Sequence, residues 1–341
     1  MRSRAVWFIS RAIWSLAVVL ILGFMVFSAS IRGADVSGGY GLVLDILFGI
    51  ALLGIVTLGV LVSNRRPGNP VGWIITGGGL SLMLSGFAEG YGVYALFADP
   101  GSLPGGEVMA WISSWIGIPS LFATPALLFL LFPDGHLVGR RWLIVLWLVV
   151  TATCSAMVDA ALNPVLDDAP FKGVASPLDI ETSGTLLTLL SLIGWPGMTA
   201  GLLASAPAMI LRLRHSRGIQ RQQLKWIASA AAVVPIASLV GVISYYLGRE
   251  ELGTISALAA SLLIPFAAGY AVLRHRLYDI DVVINRALVY GSLTLMLALV
   301  YFGGVTATQA LFRTLTSQEQ QPQPDMCRLH RLPHNAHQVV A

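Results

Sequence analysis

Nine apolar stretches, each long enough to cross a bilayer, constrain this 341-residue chain more than any motif in it. A helix needs roughly 20 mostly apolar residues to traverse the hydrocarbon core. The stretches run near 12–31, 42–62, 71–97, 108–132, 142–162, 185–211, 226–247, 253–273 and 289–312. In lipid every backbone polar group needs an internal partner, which leaves helices or closed barrels. Barrel strands alternate over about 10 residues, and these stretches are longer and unbroken. Only 11% of residues are charged and 56% are hydrophobic, whereas a soluble domain carries about 25% charged residues. No sizeable water-soluble catalytic domain is expected. The expected fold is all-α: a polytopic membrane domain of about nine transmembrane helices over 1–312, then a polar tail over 313–341.

Lysine and arginine are biased toward cytoplasmic loops. Alternate loops hold Arg2, Arg4 and Arg11; Arg65 and Arg66; Arg140 and Arg141; Arg212, Arg214, Arg217, Arg221 and Lys225; and Arg274, Arg276 and Arg286. The intervening loops hold only Arg32, Lys172 and Arg249. This asymmetry predicts a cytoplasmic N-terminus in a bacterial inner membrane. Arg2, Arg4 and Arg11 before an apolar run ending in Ser28-Ala29-Ser30 also have the form of a cleavable signal peptide. With eight further spans behind it, we read the segment as a retained span.

From Thr316 the composition turns polar and histidine-bearing, a segment unable to repay its ordering entropy by burial and therefore expected to be disordered. Cys327, His330, His334 and His337 have ligand chemistry for zinc, but Pro333 interrupts any helix that would align them. We expect no metal site and no cofactor. Cys154 and Cys327 are too far apart in sequence to suggest a disulfide framework.

Charges inside a bilayer are costly and by default suggest function. Asp45, Glu89 and Asp159 fall within spans, all toward the outer side under this orientation. They are the candidate ligand-sensing residues, lining an outward-facing polar cavity; the bland alternative is carboxyls reaching interfacial water. Glu89 lies inside Gly86-Phe87-Ala88-Glu89-Gly90, whose small residues four apart permit close helix approach. The densest basic run, Arg212, Arg214, Arg217, Arg221 and Lys225, is expected to lie at the membrane surface, where each cation near anionic lipid is worth about 1 kcal/mol. Without interleaved aromatics or a folded module it does not point to nucleic acid. The glycine runs lack the lysine and context of a phosphate loop, and no HExxH, GxSxG or paired catalytic carboxylates occur.

Four segments carry a resemblance. They are Arg66-Pro67-Gly68-Asn69-Pro70-Val71-Gly72-Trp73; Leu131-Phe132-Pro133-Asp134-Gly135-His136-Leu137 with Arg140-Arg141-Trp142; Arg221-Gln222-Gln223-Leu224-Lys225-Trp226; and Arg274-His275-Arg276-Leu277-Tyr278-Asp279-Ile280-Asp281-Val282-Val283-Ile284-Asn285-Arg286. Over roughly residues 65–318 the chain resembles the multi-span N-terminal sensor region of actinobacterial-type sensor histidine kinases and kinase-like membrane proteins. The resemblance implies a role in sensing and two-component signal transduction. It also implies a cytosolic elbow (Arg276, Tyr278, Asp279, Asp281, Asn285 and Arg286) that transmits helix movement; a plain membrane-surface cap is the alternative. Such regions continue into a further span and cytosolic output modules, and no phosphoacceptor helix or ATP-binding glycine box follows residue 312. Kinase activity therefore does not transfer, and the chain is expected to be non-catalytic as it stands.

Nine crossings from a cytosolic N-terminus put the tail outside, the wrong side for a cytosolic output domain. We expect a frameshift or premature end near Gln320 to have replaced the continuation, with a genuine short tail as the competing view. Expected partners are the bilayer and either a second copy or a cytosolic signalling protein. The alternative functions are a small-solute transporter or channel, and a stand-alone partner-binding membrane protein.

Overall fold

A computed structural model of the chain describes residues 2–33, 42–166, 170–178 and 183–247. Among these the regular structure is helical, apart from one isolated antiparallel bridge between Val165 and Ala175. The helices are α1 (Arg2–Gly33), α2 (Leu42–Arg65), α3 (Pro70–Val93), α4 (Gly106–Ile116), α5 (Ile118–Leu121), α6 (Ala123–Leu131), α7 (Trp142–Leu162), α8 (Gly184–His215) and α9 (Gly218–Tyr246), with a π-helical turn, Tyr94–Ala98, extending α3.

Among the described residues six segments are long and apolar enough to cross a membrane: Trp7–Ile31, Asp45–Arg65, Pro70–Ala98, Gly106–Leu131, Trp142–Leu162 and Gly184–His215. Within α9 a shorter apolar run spans Ala228–Gly241. The expected spans 253–273 and 289–312, the elbow Arg276, Tyr278, Asp279, Asp281, Asn285 and Arg286, and the tail with Cys327 and its histidines lie outside the described residues. Large apolar side chains stand exposed along the bundle, among them Phe8, Val19 and Leu22 on α1, Ile144 and Trp147 on α7, and Leu192 and Ile193 on α8. So much outward apolar surface on a folded chain fits a lipid environment rather than water.

Small residues set the packing. On α2 and α3 the approach is so close that a Cβ on Gly72 would sit 2.5 Å from Ser63 Oγ and 2.6 Å from Ser63 N. The α7–α8 contact is as tight, with a Cβ on Gly194 falling 2.8 Å from both Cα and N of Ala156. Between α1 and α3, Gly86 and Gly90 face Phe24 and Phe27, so the small residues four apart around Glu89 admit two aromatic rings.

The fourth span departs from the unbroken helix expected over 108–132. It is three pieces, α4, α5 and α6, jointed at Gly117 and Phe122. Pro119 sits in the first turn of α5 and Pro125 near the start of α6, and a proline removes a backbone donor and crowds the preceding turn. Apolar length alone does not register such a break.

After α7 the chain folds back in a short hairpin, with Leu166 N donating to Val174 O (2.9 Å) and Gly173 N to Leu166 O (2.9 Å). Its Phe171 is buried among Val93, Ala110 and Leu166 and stacks on Phe97 at 6.1 Å. A connection of this length can hold a small cap but no domain, and its described part is such a cap.

Candidate functional site

Asp45, Glu89 and Asp159 lie near the start of α2, the end of α3 and the end of α7 respectively. These helix ends define an acidic end of the bundle. The exposed Arg65, Arg66, Arg140, Arg141, Arg214 and Arg217 define a basic one.

At the acidic end Asp45 is buried and accepts a short hydrogen bond from Ser28 Oγ on α1. Glu89 stands at the surface of α3, close enough to Asp45 for the two carboxyls to interact electrostatically. Beside them Phe27 of α1 makes ring contacts with Phe87 (5.8 Å), Tyr91 (5.3 Å) and Tyr94 (5.8 Å). The structure thus brings two of the three sequence candidates together where α1, α2 and α3 meet. Asp159 belongs to another group of helices: α7 packs chiefly on α8, α4 and α6. The nearby Trp111 Nε1 of α4 donates to Ala161 O at 2.8 Å.

At the basic end the first two motif segments and the head of the basic run interlock. Asn69 caps α3: its Oδ1 accepts from Val71 N at 3.0 Å, and Pro70 occupies the first helical position, where a missing N–H costs nothing. The other arm of the same amide donates from Nδ2 to Pro133 O at 2.7 Å, crossing to the loop after α6. That loop turns through Gly135 at φ +76°, a left-handed conformation suited to glycine. A Cβ there would also meet Pro70 Cδ at 2.5 Å and Asn69 Oδ1 at 2.6 Å. His136 closes the turn through Nδ1 on Asp134 O at 2.8 Å.

Arg212 completes the junction. Its Nη1 donates to Phe132 O (2.7 Å), and its Nη2 donates to Leu130 O (2.7 Å) and to His136 O. The Asp134 carboxylate adds a favourable charge nearby. Sequence reasoning grouped Arg212 with Arg214, Arg217, Arg221 and Lys225 as one membrane-surface loop. Instead the run divides: Arg212, Arg214 and His215 form the last turn of α8, where cations complement the helix dipole, and α9 begins at Gly218. Arg214, Arg217 and Lys225 are exposed, whereas Arg212 turns inward. Nothing in the spacing marks Arg212 as different, because its acceptors are main-chain carbonyls contributed from about 80 residues away.

A second feature missed in sequence is a group of hydroxyls between α3 and the broken span. Ser120 Oγ donates to Gly78 O at 2.6 Å, Ser81 Oγ lies 2.5 Å from Ser120 Oγ, and Ser85 Oγ donates to Ser113 O at 3.0 Å. Serines inside an apolar run read as filler until their partners are known.

Replacing Asn69 by alanine removes both the cap and the bridge to Pro133. The expected loss is about 1–2 kcal/mol, measurable as a lower midpoint in an unfolding titration of the purified protein. An unchanged midpoint would show that the bridge carries no net energy. Among the described residues no group of three or more His, Cys, Asp or Glu is placed to hold a metal ion. No protein-family model, curated protein or solved structure matches this chain.

Proposed function

We propose that this chain is a membrane-embedded sensing module, equivalent to the N-terminal half of a sensor histidine kinase and non-catalytic in itself. The stimulus acts at the acidic end, on the Asp45–Glu89 pair, and the response emerges at the basic end. The observation that carries the reading is the junction just described. Two of the segments that resemble the sensor family, 66–73 and 131–137, are fastened to each other by Asn69 and to the end of α8 by Arg212. Such a node gives α3, α6 and α8 a common anchor from which small helix movements can be relayed. In this reading the basic end faces the cytoplasm of a bacterial inner membrane. Its exposed Arg214, Arg217 and Lys225 meet anionic lipid or a cytosolic signalling protein.

The test uses the full chain in lipid nanodiscs, with Cys154 and Cys327 replaced by serine and a fluorophore on Val138→Cys beside the junction. We expect its emission to change as pH and added mono- and divalent cations are varied, and Asp45→Asn and Glu89→Gln to abolish the change. An emission indifferent to all of these conditions would sink the sensing reading. The second reading, a small-solute transporter, is favoured by the broken fourth span, because discontinuous helices often line transport sites. Solute flux into reconstituted vesicles, lost in Glu89→Gln, would replace the sensing reading with that one.

A further inference from the structure

We propose that the fourth span is a two-joint hinge in which hydroxyl hydrogen bonds exchange without net loss, allowing its two rods to move separately. The inference rests on the sensing reading only for its purpose; the mechanics stand on the contacts the span makes with its neighbours.

Both rods pack on α3, and beyond that each has a further anchor of its own. The rod at the acidic end, α4, is held by Trp111 Nε1 on Ala161 O of α7 and by Ala110, which is buried against Val93, Leu166 and Phe171. The rod at the basic end, α6, ends in the carbonyls of Leu130 and Phe132, both taken by Arg212. Between them lie Gly117, the four residues of α5 and Phe122. Displacing the hairpin thus acts on α4 directly, and reaches α6 only through the helices that both rods pack against. The relative motion must be absorbed at the elbow.

The elbow is built to absorb it. Kinks arise at prolines and at glycine or serine positions, and this elbow has Gly117, Pro119 and Ser120 in succession. Its contacts to α3 run through hydroxyls. Ser81 Oγ lies 3.1 Å from Gly78 O and 2.5 Å from Ser120 Oγ, and Ser120 Oγ lies 2.6 Å from the same Gly78 O. That makes three contacts for two protons. Ser120 can bond Gly78 O while Ser81 bonds Ser120. Alternatively both can bond Gly78 O, or Ser120 can bond Ser81 while Ser81 bonds Gly78 O. Each arrangement satisfies both donors, since a carbonyl or hydroxyl oxygen accepts more than once. Ile118 and Phe122 of the joint are buried apolar side chains, but at the serines facing α3 a shift can trade one hydrogen bond for another. One residue before the glycine joint lies Ile116, and before it Trp115, whose indole N–H is buried and has no hydrogen-bond partner. A buried donor of this kind gains from any movement that brings an acceptor within reach.

The test uses the full chain in nanodiscs and needs neither stimulus nor output. Hydrogen exchange is expected to be at least about tenfold faster at amides 117–122 than at 107–113 and 123–131, as a local opening would give. Pro119→Ala, which restores a backbone donor, is expected to reduce that contrast several-fold. Spin labels on Val108→Cys and Val138→Cys, with Cys154 and Cys327 replaced by serine, should give a broad distance distribution that Pro119→Ala narrows. A pair on the unbroken α7, Leu143→Cys and Val158→Cys, supplies the narrow reference. Uniform protection across 107–131, or a Val108–Val138 spread no wider than the reference and unmoved by Pro119→Ala, overturns the hinge and leaves a static kink. Either outcome leaves the sensing reading standing. That reading is judged by the Val138 emission with Asp45→Asn and Glu89→Gln.

Discussion

Arg212→Met is expected to destabilise the protein by about 3 kcal/mol and to release the loop after α6. The substitution keeps a long apolar stem but removes the donors serving Leu130 O, Phe132 O and His136 O. Hydrogen bonds from a charged donor are worth about 1.5–3 kcal/mol each, and buried carbonyls left unpaired add their own penalty. Three such bonds set an upper range well above our figure. Because Arg212 is only half-buried and water can replace some of them, we place the loss below that sum. Arg212→Lys is expected to recover only part, because an ammonium lacks the planar fork that reaches separate carbonyls at once. Reversible unfolding in mixed micelles measures the stability, and the rate of tryptic cleavage at Arg140–Arg141 measures loop release. A Met variant within about 1 kcal/mol of the parent and cut no faster would mean that the junction holds without its arginine.

The α7–α8 contact gives the second large effect. Gly194→Ala should cost about 3 kcal/mol, and Gly194→Leu should leave no folded protein. The reason is what the new Cβ would meet: Cα and N of Ala156 at 2.8 Å, main-chain atoms that cannot rotate aside. The two helices would have to part, loosening the neighbouring contacts of Gly197 with Ala152 and Gly201 with Val149. Gly77 is the internal control, because a Cβ there meets nothing within 4 Å. Alanine at 77 should be neutral or stabilise by up to about 1 kcal/mol through helix propensity. Equal effects at 194 and 77 would mean that close approach is not what holds α7 to α8.

These cases also mark what the sequence could and could not yield. Hydrophobic length is a local, additive signal, so the helical architecture and the six described spans were legible. Asn69 before Pro70 belonged to a motif noticed in the chain, although its reach to Pro133 was not predictable. The break at Gly117 escaped because Pro119 lies in a run whose hydropathy never falls. Which acids would meet was also hidden: all three lie near helix ends, yet only Asp45 and Glu89 sit on adjacent helices. Arg212 was the hardest case, since a cation beside four others gives no local hint that its partners are distant main-chain oxygens.

The main-chain nature of those oxygens has an evolutionary consequence. Every residue type presents the same carbonyl, so the grip of Arg212 is indifferent to the side chains at Leu130, Phe132 and His136. Tolerance to substitution at this junction is therefore lopsided. Position 212 is fixed by the chemistry of its fork, and Gly135 by its backbone angle and lack of space. The exposed Val138 can drift freely, and changes at Asp134 or His136 forgo a nearby charge or one turn hydrogen bond while leaving the three main-chain acceptors in place. The protein thus carries a rigid bracket with a rewritable outer surface, on which new contacts can be tried while the helices beneath it stay in register.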